Sequence, residues 1–311
     1  MAILEMEHVV KRYGSKLSVD HLNLSVDKGE IFGLLGPNGA GKSTTISMIA
    51  GLLSIDQGEI RLDGISVKER PLEVKRRIGL VPQDLALYEA MSAAENVTFF
   101  ARLYGLRGKL LKERVQESLE FVGLQDKAKD APSTFSGGMK RRLNIACAIM
   151  HRPDLIIMDE PTVGIDPQSR NHILESVRTL NKMGSTIIYT SHYMEEVAAI
   201  SNRVAIMDQG HIIACGTEAE LRERVASEEK IVLTASGIGP GAVEELRLHP
   251  RVRAVEAAGD TLTITLPSAQ QDLQDILFIC SKHEIAIQSL QVEEPDLETL
   301  FLNLTGRTLR D

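Results

Sequence analysis

The sequence has few cysteines, no excess of positive charge and no long apolar run. Its three cysteines are far apart and form no CxxC pair, which argues against a disulfide framework or a zinc site and favours reduced thiols in the cytosol. The formal net charge is -8, so no basic field exists to hold nucleic acid, and we expect no nucleic-acid partner. No apolar stretch approaches the roughly 20 residues of a membrane helix, and the N-terminal residues do not read as a signal peptide. Any membrane contact is therefore expected to come only through a partner protein.

The 311 residues, 43% of them apolar, allow one large domain and a smaller one. Alternating apolar residues between about 3 and 26 predict an antiparallel subsheet. Beyond residue 30, short apolar runs alternate with helical stretches, which predicts a parallel sheet with both faces covered. The strands are predicted at 31–35, 78–81, 155–158, 186–190 and 204–207, and the helices at 42–50, 93–104, 112–122, 138–150 and 168–182. The helix-rich stretch of about 90–150 is interpreted as a helical subdomain inserted into the α/β core.

The pattern changes after about residue 225, so we place one domain at 1–225 and a second at 226–311. Strands at 231–234, 252–257, 261–266 and 285–292, with helices at 241–248 and 271–282, give the βαββαβ order of ferredoxin-like domains. Gly259 and Asp260 are expected to close the hairpin. A last helix is predicted at 297–304. Dimerisation, regulation and passive stabilisation all remain possible roles for this domain.

A glycine-rich loop between a predicted strand and a predicted helix carries the clearest chemistry. It fits the pattern GxxxxGK[ST] without a gap. The residues expected to bind the nucleotide here are Gly36, Pro37, Asn38, Gly39, Ala40, Gly41, Lys42, Ser43 and Thr44. Glycines let backbone N–H groups face a phosphate at the positive end of the helix, Lys42 reaches the terminal phosphates, and Ser43 binds Mg²⁺. The loop predicts a nucleoside triphosphate, although kinases, GTPases and motor proteins share it.

An acidic pair follows the apolar strand predicted at 155–158. Asp159 and Glu160 stand at the strand end, where ligands bind in such sheets. Asp159 is predicted to hold Mg²⁺, and Glu160 to act as the general base toward the attacking water. An isolated acidic pair would more often be merely solvated, but the phosphate loop favours a function here.

A second glycine-rich helix start, at Ser136, Gly137 and Gly138, predicts a second anion site far from the first in sequence. This stretch resembles the signature loop of ABC ATPases, usually LSGGQ, with Phe135 and Met139 in place of the usual leucine and glutamine. The resemblance covers about residues 2–220 and keeps the family's order of motifs. It implies that Gln83 is the Q-loop residue, a ligand of Mg²⁺ and a participant in catalysis. It further implies a D-loop at 164–167, His192 as the catalytic switch histidine and Tyr13 as the aromatic that stacks on adenine.

The resemblance to ABC transporter ATP-binding subunits also sets the expected fold. This is an α/β P-loop ATPase domain with a mixed sheet core, an antiparallel β subdomain and a helical subdomain, followed by a small α+β ferredoxin-like domain. ATP and Mg²⁺ are the implied cofactors. The basic residues Lys140, Arg141 and Arg142 after the signature loop are interpreted as a solvated helix face.

The implied activity is ATP hydrolysis coupled to transport, with two subunits closing around two ATP molecules. A homodimer is the expected form, with a heterodimer left open. The implied partner is an integral membrane permease, which would hold the cytoplasmic subunit at the inner face of the membrane. The signature and D-loop sequences resemble those of bacterial drug, antibiotic and ABC-2 type exporters. Three alternatives are considered: a soluble ABC ATPase not linked to transport, a P-loop kinase or GTPase outside the family, and a binding module with a degenerate ATP site.

Overall fold

The computed structural model describes residues 1–224, 228–293 and 301. The chain divides into two compact units, the first over Met1–Glu218 and the second beginning at Ala219. This division lies a few residues before the boundary at about residue 225 that the sequence suggested. The residues between the two positions form a helix, Glu218–Arg224, in which Leu221 is fully buried.

The elements of the first unit follow in chain order. The strands are β1 (Ala2–Tyr13), β2 (Lys16–Asp27), β3 (Ile31–Leu35), β4 (Gln57–Leu62), β5 (Ile65–Ser66), β6 (Ile78–Val81), β7 (Leu155–Asp159), β8 (Thr186–Thr190), β9 (Arg203–Asp208) and β10 (His211–Gly216). The helices are α1 (Lys42–Ile49), α2 (Pro71–Arg77), α3 (Ala93–Leu103), α4 (Gly108–Phe121), α5 (Gly137–Ile149), α6 (Pro167–Lys182) and α7 (Met194–Ile200). A further helix, α8 (Glu218–Arg224), begins at the last residue of this unit, and its other residues belong to the second unit.

A six-stranded sheet with the order β10-β9-β3-β8-β7-β6 forms the frame of this unit. Neighbours from β9 to β6 run parallel, and β10 pairs antiparallel with β9. β3, β7 and β8 are buried at every position, as parallel strands covered on both faces are. The predicted mixed sheet core is therefore confirmed. Because β3, β8, β7 and β6 are adjacent, the segments that follow their carboxyl ends lie side by side at one edge.

The predicted antiparallel subsheet is also present, with the order β2-β1-β4-β5. Met6 in β1 lies opposite Leu24 in β2 and Ile60 in β4, and all three side chains are buried. They share one apolar core with Phe32 of the parallel sheet and Ile46 of α1. Burying each large apolar side chain contributes about 1.5–3 kcal/mol, so this shared core fixes the phosphate loop between the two sheets.

The helical part consists of α3, α4 and α5, which pack on one another. α3 begins with a capping box in which Ser92 and Glu95 each bind the other's backbone N–H. The Tyr104 ring stacks on His151 with centroids 3.7 Å apart, and Tyr104 OH and His151 Nε2 both lie within hydrogen-bond distance of the Ile78 carbonyl. Burial lowers the pKa of His151 to about 4, so the ring is neutral at pH 7. This pair ties α3 to the first residue of β6.

The second unit contains β11 (Glu229–Ser236), α9 (Pro240–Leu248), β12 (Ala254–Ala258), β13 (Thr261–Leu266), α10 (Ala269–Lys282) and β14 (Ala286–Glu293). Its sheet has the order β12-β13-β11-β14, and all pairs are antiparallel. Both helices contribute to the buried apolar cluster with β11 and β13. The βαββαβ order with this strand arrangement is ferredoxin-like, as expected from the sequence. Apart from Phe301, the helix predicted at 297–304 lies outside the described residues.

Candidate nucleotide site

The phosphate loop connects β3 to α1, and its glycines are required by close contacts. A Cβ at Gly36 would collide with the Met207 carbonyl oxygen, and one at Gly41 would lie 2.6 Å from the Ser18 carbonyl oxygen. Gly41 also has a φ of 108°, a backbone conformation that side-chain-bearing residues avoid. The loop can therefore take this tight path only with glycine at both positions.

The N-terminus of α1 is arranged for an anion. Its N-cap residue, Gly41, provides no side-chain hydrogen bond, and the first turn contains no acidic residue. The helix dipole thus presents uncompensated positive charge at the loop. Lys42 Nζ donates to the carbonyls of Gly36 at 2.6 Å and Pro37 at 3.2 Å. Burial lowers the pKa of Lys42, while Glu160 and Asp159 act in the opposite direction.

A cavity of about 310 Å³ opens over this loop and brings together residues from distant parts of the sequence. It is lined by Tyr13, Lys16, Ser18, Pro37, Asn38, Gly39, Ala40, Gly41, Lys42, Ser43, Thr44, Gln83 and Glu160. Most of the predicted nucleotide-binding residues therefore face one space. Lys16 and Ser18 were not predicted, and their position on β2 beside the loop follows from the packing of the antiparallel subsheet.

The acidic pair ends β7 and is anchored to the neighbouring strand. Thr190 at the end of β8 lies opposite Asp159 in the register. Its Oγ1 donates to Asp159 Oδ1 at 2.7 Å and accepts from the Glu160 backbone N–H at 2.9 Å. Glu160 has a φ of 46°, a left-handed backbone conformation that costs a residue with a side chain about 1–2 kcal/mol. Such strain is held only where the surroundings fix it, as the Thr190 hydroxyl does here.

The Glu160 carboxylate meets two other predicted site residues. Its Oε2 accepts from Gln83 Nε2 at 3.1 Å and lies 3.5 Å from His192 Nδ1. Gln83 follows β6 and His192 follows β8, so the three side chains come from adjacent strand ends. Glu160 is buried, so solvent screens its interactions with both partners less than at the protein surface.

The second glycine-rich helix start does not line this cavity. Ser136 is the N-cap of α5, and its Oγ accepts from the Met139 backbone N–H at 3.2 Å. A Cβ at Gly138 would collide with Ser169 in the first turn of α6, whereas one at Gly137 would meet open space. Packing therefore requires glycine at Gly138, whereas the start of α5 is exposed on the surface outside the nucleotide cavity.

The basic run after Gly138 corrects one interpretation from the sequence. Arg141 is buried, and its guanidinium donates to the carbonyls of Pro82 at 2.9 Å and Gln83 at 2.8 Å. Arg142 donates to the Val122 carbonyl at 2.8 Å. The expectation of a solvated face was wrong for Arg141, because its side chain turns inward to bind the segment that carries Gln83. Nothing in the neighbouring sequence distinguishes Arg141 from the basic residues beside it, so its inward orientation was not predictable locally.

Thr190 is a further residue that sequence reasoning missed. A usable signal existed, because it ends an apolar strand just as Asp159 does. The adjacency of β7 and β8, which makes the two meet, is decided only by the sheet order.

Known proteins are similar to this chain over its whole length. The sequence family described as ABC transporter matches residues 19–163. The linearmycin resistance ATP-binding protein of Bacillus subtilis (strain 168) is 51% identical over 311 residues, covering 99% of this chain and 100% of that protein. The Nod factor export ATP-binding protein I of Paraburkholderia xenovorans (strain LB400) is 39% identical, covering 100% and 99%.

A solved structure extends the similarity to the fold. It is a dimeric ATP-binding cassette in a post-hydrolysis state with ADP and Pi bound, with a TM-score of 0.63 and 25% identity, covering 69% of this chain and 98% of that one. Within the described ranges of this chain, none of the helices has the length and apolar character needed to cross a bilayer. With full-length relatives at this identity and the phosphate loop, acidic pair and signature loop in place, the chain belongs to the family of ABC transporter ATP-binding proteins, which are ATPases.

Proposed function

We propose that this protein is the ATP-hydrolysing subunit of a membrane exporter and works as a dimer that closes on ATP. The observation that carries the proposal is the position of Glu160, held between Gln83 and His192 at the edge of the cavity over the phosphate loop. A carboxylate placed there faces the end of a bound triphosphate.

ATP binding uses the charge at the loop. The phosphates would bind at the N-terminus of α1, where Lys42, held by two loop carbonyls, would donate to them. Asp159, Ser43 and Gln83 offer carboxylate, hydroxyl and amide oxygens, the hard donors that Mg²⁺ prefers. Because the side-chain amide nitrogen of Gln83 donates to Glu160, the side-chain oxygen Oε1 would be the Gln83 atom that faces a cation. When bound, Mg²⁺ would neutralise charge on the terminal phosphates.

Hydrolysis uses Glu160 as the general base. The carboxylate takes a proton from the attacking water as the water oxygen bonds to the γ-phosphorus. The bond from that phosphorus to the bridging oxygen breaks, and ADP and inorganic phosphate are the products. His192 and Gln83 orient the carboxylate and the water, since both contact Glu160 directly.

Dimer formation is supported by the place of the signature loop. Ser136, Gly137 and Gly138 do not line the cavity of their own chain, so they are available to a second subunit's nucleotide. The similar solved structure, a dimer with ADP and Pi bound, supports a dimer. ATP that contacts both subunits favours the closed state, and loss of the γ-phosphate removes that preference. The homodimer is the form we propose.

The exporter role is supported by the relatives, which are named for linearmycin resistance and Nod factor export. We propose an integral membrane permease as partner and a location at the cytoplasmic face of the membrane. The segment after Gln83 offers the contact surface, because Leu85 is 41% exposed there. A soluble ABC ATPase remains the alternative outcome of the test.

Substituting Leu85 with aspartate is expected to uncouple transport while basal ATP hydrolysis stays near the wild-type rate. An exposed apolar residue contributes to partner docking, whereas the nucleotide contacts remain intact. The measurements are membrane fractionation and substrate efflux in cells that co-express candidate permeases, alongside ATP hydrolysis by the purified protein. Leu110, a similarly exposed leucine on α4, gives the matched control Leu110→Asp. Two results together would favour the soluble alternative. The protein would stay fully soluble when the candidate permeases are co-expressed, and Leu85→Asp would leave substrate efflux unchanged.

Replacing Tyr13 with alanine is expected to weaken ATP binding about 5- to 150-fold, corresponding to the 1–3 kcal/mol of one base–aromatic stack. The ring is 51% exposed at the mouth of the cavity, and Lys11 Nζ lies 6.0 Å from its centroid. Calorimetry with ATP and inorganic triphosphate separates the base from the phosphates. Tyr13→Phe, which keeps a ring, is the control. Equal ATP affinity in Tyr13→Ala and wild type would contradict stacking.

We further propose that residues 226–311 are an accessory dimerisation or regulatory domain outside the nucleotide site. All residues lining the cavity belong to the first unit, which supports this division. A chain ending at residue 225 is expected to bind ATP with wild-type affinity by calorimetry. Loss of binding in a folded truncation would mean that the tail belongs to the ATPase core.

A further inference from the structure

A buried carboxylate lies behind the switch histidine, on α7. Glu196 is only 3% exposed, and its Oε2 accepts three hydroxyl hydrogen bonds. The donors are Thr162 Oγ1 at 2.7 Å, Tyr189 OH at 2.8 Å and Ser191 Oγ at 2.9 Å. They come from the segment after β7, from β8, and from the residue directly before His192.

The other oxygen of this carboxylate faces a cation. Arg170 Nε on α6 lies 3.2 Å from Glu196 Oε1 as an ion pair, although not aligned as a hydrogen bond. The Arg170 guanidinium also stands over the Tyr193 ring, 4.6 Å from its centroid. One carboxylate thus connects α6, α7 and both neighbours of His192.

The two neighbours of His192 are pinned together. The Ser191 hydroxyl donates to Glu196 and accepts from the Tyr193 backbone N–H at 2.9 Å. Tyr193 is held in turn by Arg170, the ion-pair partner of Glu196. The backbone on each side of the histidine therefore depends on the same buried charge.

A carboxylate buried this deeply needs hydrogen bonds or an opposite charge. One oxygen of Glu196 accepts three hydrogen bonds and the other faces Arg170, so the network favours one conformation. Burial, and after it the Glu196 charge, raise the pKa of Tyr189. Tyr189 therefore keeps its proton and remains a donor.

We propose that Glu196 is a positioning residue for ATP hydrolysis: it holds His192 at Glu160 by clamping Ser191 and Tyr193, and it links that histidine to Thr162 and to α6. The inference rests on the proposed role of His192 in turnover. Glu196 itself does not line the nucleotide cavity and acts through the histidine.

The test is a double-mutant cycle of Glu196→Ala and His192→Ala, with the turnover number, the KM for ATP and the ATP affinity measured on the full-length protein. Glu196→Ala is expected to lower turnover about 100-fold, the loss that a displacement of about 1 Å in a catalytic group produces. ATP affinity is expected to stay within about threefold of wild type, since the phosphate loop is unaffected. In the His192→Ala background, Glu196→Ala is expected to cause no further loss.

Glu196→Gln keeps the shape of the side chain and an accepting oxygen. Its turnover is therefore expected to be about tenfold higher than that of Glu196→Ala. Glu30→Gln is the matched control, because Glu30 is also a buried carboxylate, bound to Arg203 at 3.2 Å, but precedes β3 at the opposite end of the strand from the phosphate loop. It is expected to leave turnover unchanged. If Glu196→Ala does not fold, Ser191→Ala replaces it, with the same direction and a smaller loss expected.

Losses that multiply in the double variant, or ATP affinity that falls as much as turnover, would overturn the positioning role. An inactive His192→Ala with an active Glu196→Ala would overturn it as well. An active His192→Ala would instead remove the histidine from the proposed mechanism, so the two failures are distinguishable.

Discussion

Glu160→Gln is expected to lower ATP turnover about 10²- to 10⁴-fold, the contribution typical of a general base. The amide keeps the size of the side chain and its contacts with Gln83 and His192, but it cannot accept the proton of the attacking water. ATP binding should persist, because Lys42 and the phosphate loop are unchanged. The variant should therefore accumulate as an ATP-bound dimer, which size-exclusion chromatography with light scattering measures alongside steady-state phosphate release.

Glu195→Gln makes the same chemical change at an exposed carboxylate on α7 and serves as the control. It should hydrolyse ATP at the wild-type rate. Turnover near the wild-type rate in Glu160→Gln would remove Glu160 from the catalytic role. Loss of ATP binding together with turnover would instead indicate a collapsed site, consistent with the strained backbone at that residue.

Lys42→Ala is expected to weaken ATP binding about 10- to 150-fold, since a charge-assisted hydrogen bond contributes about 1.5–3 kcal/mol. Two effects add in this variant. The ammonium contact with the phosphates is lost, and the carbonyls of Gly36 and Pro37 lose the donor that holds the loop. Isothermal calorimetry with ATP measures the affinity, and thermal melting without nucleotide reports whether the fold is intact.

Lys28→Ala is the matched control, because Lys28 borders a different cavity, formed with residues such as Arg114 and Asp154. It removes one lysine without touching the phosphate loop. ATP affinity unchanged in Lys42→Ala would show that the helix N-terminus alone binds the phosphates. Turnover lost with affinity retained would place Lys42 in the chemical step instead.

The phosphate loop was predictable because its requirements are local. The residues that surround one phosphate must be contiguous in sequence: Gly36, Gly41, a lysine and the start of a helix. Eight consecutive residues are therefore enough to identify the loop. The strands were predictable for a similar reason. Buried parallel strands are continuous apolar runs, and their polar tips, such as Asp159, mark the ligand-binding edge.

Contacts between distant elements were not predictable from single motifs. Arg141 reads as one of three solvated basic residues, but it turns inward to bind Pro82 and Gln83, 59 and 58 residues away. Glu196 reads as an ordinary acidic residue beside Glu195 on a short helix. Its burial among Thr162, Tyr189, Ser191 and Arg170 depends on how α6 and α7 pack against β8.

The sequence by itself determined the family, the order of the motifs and the residues expected at the nucleotide, because each motif depends on neighbouring residues. It also determined the ferredoxin-like character of the second unit, because strands and helices differ in their apolar periodicity. Only the tertiary structure decided which strand ends are adjacent, and therefore that Gln83, Glu160 and His192 meet at one carboxylate. It also placed residues 136–138 outside the cavity of their own chain. The physical reason is that strand order and helix packing are set by the burial of whole faces, a sum over many residues that no short segment encodes.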